Sequence, residues 1–366
     1  MQPMLHRAAT RRASPSLRES PLARFLLTAY VLLVVYASLY PLAGWREPAG
    51  SAFAFLGASW PRYVTAFDLA ANFFGYLPYG LLCALALRPR LGPAAAVLAA
   101  LGSGALLSLV LEAAQSFLPA RIPSNLDMLA NGAGAACGGL IGAWLAAWLL
   151  GAGPLQRLRA EAVAPGTAAD LGLTLLGLWL FAQLNPATLL FGTGDLRDLF
   201  DGTVGERHTA ELFVSVEAAT TAANLAAVVL LASAGVRPVA PVRRLVAALI
   251  GVALIVKTAA FAILMQAEHV FAWLTPGAQL GLVCGAVLAL AALQLPHTAR
   301  LALAAALLMA ATVLVNLSPP NPYFAATLKV WEQGHFLNFN GLTRLVSAAW
   351  PFAALMYLVY LAARRR

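Results

Sequence analysis

Long apolar stretches separated by short polar segments run along almost the whole chain. Each of ten stretches holds about 20 mostly apolar residues, the length that crosses a bilayer as an α-helix. The pattern predicts ten spans, at residues 24–44, 69–87, 94–117, 126–149, 169–191, 210–234, 243–265, 276–295, 299–317 and 342–363. The predicted fold class is therefore all-α, a polytopic transmembrane helical bundle of about ten spans.

Composition agrees with a membrane protein. Of the 366 residues, 61% are hydrophobic and only 11% are charged, and the mean hydropathy is +0.78; soluble domains are closer to half apolar and a quarter charged. The net charge of +9 does not indicate nucleic acid, because the basic residues lie between spans and do not cover one face. The expected partner is the lipid bilayer.

The distribution of Lys and Arg predicts the orientation of the spans. With the amino terminus inside, the inner segments hold 16 of the 24 basic residues, the outer segments hold 7, and Lys257 lies within a span. Cytoplasmic loops carry an excess of Lys and Arg. This count predicts that both termini are cytoplasmic and that the protein lies in the bacterial inner (cytoplasmic) membrane.

Charge and composition divide the chain into four parts. We predict a disordered basic cytoplasmic tail at residues 1–23, a four-helix membrane domain at 24–150, a cytoplasmic linker at 151–170 and a second, six-helix membrane domain at 171–366. The first apolar run is too long for the h-region of a typical signal peptide, so it is interpreted as an uncleaved span.

Polar residues gather at the predicted outer ends of spans two to four, around the segment "EAAQSFLPARIPSNLDMLANGAG". Residues three or four apart share a helix face, and Glu112 lies roughly 9 Å below the loop, at 1.5 Å per residue. An ionised carboxylate at that depth is costly unless it is paired, and Arg121 is the expected partner. The predicted ligand-binding residues are Asn72, Glu112, Gln115, Arg121, Asp127 and Asn131.

Structural roles are an alternative for the same residues. Asp127 suits the start of a helix, where a carboxylate caps free N–H groups, and a Glu112–Arg121 pair would hold a hairpin together. Gly134, Gly138 and Gly142, at four-residue spacing, favour close helix packing in lipid.

Four short motifs resemble the VanZ-like membrane domain, over roughly residues 25–150. They are "NFFGYLPYG" from Asn72, "EAAQ" from Glu112, Arg121 six residues before Asp127, and "DMLANGAG" from Asp127. The family often has a second acidic residue where this chain has Ser124. The family takes its name from a protein linked to resistance to the glycopeptide antibiotic teicoplanin, and the resemblance implies a role in the cell envelope.

Two ionisable residues in predicted spans of the second half are secondary candidates, Glu217 and Lys257. Such residues suggest function, and the two could pair, although a long Lys side chain can also extend to the interface. His208 and Glu211 lie three apart but match no metal signature. The three cysteines lie in apolar runs without disulfide or zinc spacing and are interpreted as core residues. No metal, cofactor or catalytic residue is predicted.

Three functions remain open. The first is binding of a lipid-linked or cell-wall-related amphiphile in an outward-facing polar pocket, with Arg121 holding an anionic group. The second is an enzyme acting on a lipid headgroup, with Glu112 or Asp127 as general base; no nucleophile accompanies these acids, so binding is favoured over catalysis. The third is a transporter or flippase. The sequence leaves the oligomeric state open.

Overall fold

A computed structural model describes residues 19–61, 64–151, 153–197, 210–265, 270–318 and 337–364. The described residues form α-helices and one 3-10 turn, with a single isolated β-bridge. The helices are α1 (Pro21–Leu39), α2 (Ala66–Leu87), α3 (Pro93–Gln115), α4 (Asn125–Leu149), α5 (Pro154–Ala162), α6 (Thr167–Ala182), α7 (Ala210–Ala234), α8 (Val242–Leu264), α9 (Pro276–Ala292), α10 (His297–Leu317) and α11 (Leu337–Ala363). The predicted all-α fold class is confirmed.

Each of the ten predicted spans corresponds to one helix. Within the described ranges, eight helices are long and apolar enough to cross a bilayer, whereas α6 and α9 are apolar but shorter, with 16 and 17 residues. The predicted count of about ten is consistent with this arrangement. The orientation of the termini stays a prediction, and most of the predicted basic tail lies outside the described residues.

The fifth predicted span ends nine residues early, at Ala182. The chain then turns, and the Asn185 side chain accepts a hydrogen bond from the backbone N–H of Ala187 (2.8 Å). Pro186 lacks an N–H group and disfavours a helical conformation in the residue before it. The Asn–Pro pair therefore ends α6, which apolar content alone did not reveal.

Local sequence signals fix where several helices begin. Thr65 and Asp68 form a capping box at the start of α2, and the Ser124 side chain accepts a hydrogen bond from the N–H of Asp127 at the start of α4. Each interaction satisfies N–H groups that have no partner inside the helix. These caps orient the helix ends that carry the polar residues.

The apolar core consists of separate clusters. Two smaller clusters are built mainly from α1 to α4, and a larger one is built from α6 to α11. Helix α2 packs along α4, α7 packs along α9, and α1 also contacts α6 and α11. The predicted division at residues 151–170 falls between the clusters, and it stays a prediction because α1 contacts both groups of helices.

The cysteines are not all in the core. Cys83 is buried and Cys137 is partly buried, but Cys284 is exposed on α9. The core interpretation is therefore wrong for Cys284. An apolar stretch does not distinguish a residue that faces other helices from one that faces lipid.

Candidate functional site

Glu112 lies at the junction of α3 and α4. Its side chain is only 4% exposed, and its Oε2 atom accepts a hydrogen bond from the backbone N–H of Ser124 (2.8 Å). Because Ser124 is the N-cap of α4, the carboxylate lies at the positive end of that helix. Ser124 thus both caps α4 with its side chain and binds Glu112 with its backbone N–H.

Asp127 brings a second carboxylate to the same place. The Asn72 side chain of α2 forms a hydrogen bond with it, and both Glu112 and Asp68 are close enough to interact with it electrostatically. Helices α2, α3 and α4 therefore place three carboxylates at one end of the bundle. This is the end that the Lys and Arg distribution predicts to be extracytoplasmic.

A buried polar group continues from these carboxylates into the bundle. The Asn131 side chain donates to Ser108 Oγ (2.9 Å), and Ser108 lies one helical turn before Glu112. The Tyr76 hydroxyl lies beside Ser108 and near Glu112. In the described part of the chain, Asn131 Oδ1 has no hydrogen-bond partner, although buried polar atoms are usually satisfied.

Arg121 does not form the expected ion pair with Glu112. Its guanidinium donates to the carbonyl oxygens of Tyr40 (2.7 and 3.0 Å) and Ala37 (3.2 Å) at the end of α1. Burial lowers the pKa of Arg121, although the nearby Glu112 carboxylate opposes this shift. Gln115 also binds α1, donating to the Ser38 carbonyl (2.9 Å).

The carbonyl groups at the end of α1 explain why Arg121 binds α1 and not Glu112. The last carbonyl groups of an α-helix lack partners within it, and they attract cations and hydrogen-bond donors. Arg121 and Gln115 supply those donors to α1. Sequence spacing showed Glu112 close to Arg121, but it did not show that a third helix would end beside them.

The structure predicts that Arg121→Ala destabilises the protein in the absence of any ligand. Removing the guanidinium leaves two carbonyl oxygens without their donors, and a charge-assisted hydrogen bond contributes roughly 1.5–3 kcal/mol. We expect a loss of about 2 kcal/mol in the free energy of unfolding, measured by denaturant titration of the purified protein. Arg46→Ala, at an exposed position in the loop after α1, is the control, and equal stability of the two variants would contradict the structural role.

Glu217 and Lys257 do not pair either. Lys257 Nζ donates to the carbonyl oxygens of Asn185 (2.7 Å) and Thr188 (2.9 Å) and to the Thr188 hydroxyl (3.1 Å). Its side chain is 1% exposed, so it does not extend to the interface. Glu217 is buried against Gly277 and beside Thr275 at the start of α9.

The ion pairs of the described residues include neither expected pair. They join Arg24 and Arg90 to Glu19, Arg159 to Asp170, and Arg197 to Asp195. Glu217 Oε2 has no hydrogen-bond partner within the described ranges. His208, three residues before Glu211, lies outside the described residues.

Four participants were missed at the sequence level. Tyr76 lies four residues after Asn72, and Ser108 lies four residues before Glu112, so helical spacing from the chosen residues would have found both. Asn185 and Thr188 contribute backbone oxygens, which no residue type reveals, and Thr188 also contributes its hydroxyl oxygen. Only the turn after α6 brings those oxygens to Lys257.

The helices and their buried polar ends define a multi-pass helical membrane protein. Residues 25–149 match the family model described as VanZ/LLP1, which spans α1 to α4 and about a third of the chain. The chain therefore carries a VanZ-like domain, with all six predicted ligand-binding residues inside it. No curated protein and no solved structure matches the chain.

Proposed function

We propose that the VanZ-like domain binds the polar head of a cell-envelope amphiphile, such as a lipid-linked sugar or a cell-wall precursor. The protein would lie in the bacterial cytoplasmic membrane with both termini inside. The observation that carries the proposal is the meeting of Glu112 and Asp127, from two helices, beside the Tyr76 hydroxyl and the buried Asn131 side chain, whose Oδ1 has no hydrogen-bond partner among the described residues. A structural hairpin needs the Ser124 contact, but it does not need this group of buried polar atoms.

The chemistry of the group favours a donor-rich head. Carboxylate and amide oxygens accept hydrogen bonds, so they suit sugar hydroxyls, amides or an ammonium group. Arg121 binds the end of α1, and this contact weakens its proposed role as an anion clamp. The acyl or prenyl chain of the amphiphile would stay in the lipid beside α2 and α4.

Binding of a polyprenyl-phosphate-linked amino sugar tests this function. We expect Glu112→Gln and Asp127→Asn each to weaken its binding by about tenfold, the effect of losing roughly 1.4 kcal/mol. The measurement is ligand titration of the full chain in nanodiscs. Polyprenyl phosphate without the sugar should bind weakly to all of the proteins.

Glu47→Gln is the matched control, because Glu47 is an exposed carboxylate at the same end of the bundle. It should bind like the unmodified protein. The proposal fails if both site variants, folded and correctly inserted, bind the amino sugar as tightly as Glu47→Gln does.

The proximity of two carboxyl groups favours one further function, an enzyme acting on the headgroup. Neighbouring carboxyls repel each other's charge, which allows one to act as an acid and the other as a base. Glu112 and Asp127 interact in this way. Turnover of the labelled amino-sugar lipid by purified protein, lost in Asp127→Asn, would establish catalysis, whereas binding without turnover would leave the binding function.

A further inference from the structure

An apolar cavity of about 190 Å³ lies between α6, α7, α8 and α11, far along the chain from the carboxylate group. Its walls include Leu173, Leu176, Leu231, Leu249 and Tyr357. A cavity of about 150 Å³ with such a lining stays dry and binds benzene. This cavity therefore suits a segment of a hydrocarbon chain.

The linker closes one end of the cavity. Val163 pairs with Val236 in the isolated bridge, and backbone hydrogen bonds join Ala164 N–H to Gly235 O (2.9 Å) and Arg237 N–H to Ala162 O (3.0 Å). Ala162, Val163 and Val236 also line the cavity. The cavity thus lies at the end of the bundle where the linker crosses the helices.

Helix α5, within this linker, has the character of a helix that lies in a membrane surface. Leu155 and Leu158, three residues apart, are 53% and 57% exposed, and Arg157 and Arg159 lie on the same short helix. Exposed apolar residues combined with Arg are typical of interfacial helices. The linker end of the cavity is therefore at the level of the lipid headgroups.

Three arginines lie next in sequence to residues that line the cavity. Arg243 and Arg244 directly precede Leu245, and Arg237 directly follows Val236; both of these neighbours line the cavity. All three arginines are exposed.

Two acidic residues lie in the same region. The Asp170 carboxylate is already paired with Arg159, and Glu161 on α5 is exposed. Arginines therefore outnumber acidic residues in the segments next to the cavity.

We propose that this cavity binds a segment of one acyl chain of an anionic phospholipid, whose phosphate group is held by Arg237, Arg243 and Arg244. The apolar walls exclude water from the chain, and guanidinium groups bind phosphate with paired hydrogen bonds. A bound acyl chain would also stabilise the packing of the linker against α7 and α8, because Ala162 and Val163 of the linker line the same cavity. This lipid site is independent of the carboxylate group.

Native mass spectrometry of the full chain tests the site, with dioleoyl phosphatidylglycerol as the probe. Dioleoyl phosphatidylcholine has the same chains without net charge, and glycerol 3-phosphate has the anion without chains. We expect one tightly bound phosphatidylglycerol, and much weaker binding of both controls. The double variant R243Q/R244Q should bind phosphatidylglycerol about 30-fold more weakly, whereas R243K/R244K, which keeps the charge but loses the paired hydrogen bonds, should have an affinity between those of R243Q/R244Q and the unmodified protein.

A second pair of variants tests the cavity itself. Leu249→Trp fills it, whereas Ile255→Trp places the same side chain at an exposed position on the same helix. Tight binding of phosphatidylglycerol should be lost only in Leu249→Trp. If that variant does not fold, Leu176→Phe, which narrows the cavity from α6, takes its place. Equal affinity for the two lipids, unchanged binding in R243Q/R244Q, or equal binding by the two Trp variants would overturn the proposal.

Discussion

Gly138→Ala is expected to prevent stable packing of α2 against α4. A Cβ atom at Gly138 would overlap the backbone carbonyl oxygen of Leu77, and one at Gly80 would overlap that of Ala135. Backbone atoms of two packed helices cannot move aside as a flexible side chain can. We expect a loss of about 3 kcal/mol or more, at or beyond the upper end of overpacking effects, measured as the denaturant midpoint of the purified protein.

Gly102→Ala is the matched control. A Cβ atom at Gly102, in α3, would have nothing within 4 Å, and alanine favours a helix over glycine by about 1 kcal/mol. This variant should be as stable as the original protein or more stable. If Gly138→Ala were equally stable, the close approach of α2 and α4 would be wrong, and with it the position of Asn72 beside Asp127.

Lys257→Met is expected to have the second largest effect. The three N–H groups of the ammonium match three oxygen acceptors after the end of α6, and all three bonds disappear in the variant. Hydrogen bonds to a charged group contribute roughly 1.5–3 kcal/mol each, and the desolvation of the buried charge offsets part of the total. A net loss of about 3 kcal/mol should appear in denaturant titration.

Thr258→Val, at the next position on α8, tests whether the effect is specific to the ammonium. Thr258 donates only to the Leu254 carbonyl within its own helix (2.8 Å), so its replacement should change stability little. Unchanged or increased stability of Lys257→Met would show that the cost of burying the charge exceeds the value of its bonds. Lys257 would then require a functional explanation.

The membrane helices were predictable because their signal is local. A run of apolar residues identifies a span wherever it packs, and all ten predicted spans correspond to helices. The largest difference in the boundaries is at the end of the fifth span, where Asn185 and Pro186 stop the helix although the apolar run continues. The hydrogen bond from Ala187 N–H to the Asn185 side chain and the missing N–H group of Pro186 set that boundary. Hydropathy measures neither property.

The candidate site was predictable in part. Helical periodicity placed Glu112 and Asp127 at the ends of adjacent helices, and the contact of Asn72 with Asp127 follows from the same reasoning. The expected Arg121–Glu112 pair and the possible Lys257–Glu217 pair do not form, because both basic side chains bind backbone carbonyl groups. Every residue carries such a carbonyl, so the sequence does not mark the ones that a fold leaves without partners.

The sequence by itself determined a multi-pass helical protein with a VanZ-like segment and a gathering of polar residues at one end of it. Those properties depend on composition and on spacing along single helices, which neighbouring residues define. The tertiary structure alone decided that Arg121 and Lys257 serve helix ends, that an apolar cavity opens beside the linker, and that glycine positions let α2 touch α4. These features depend on atoms far apart in the chain, and only packing brings such atoms together.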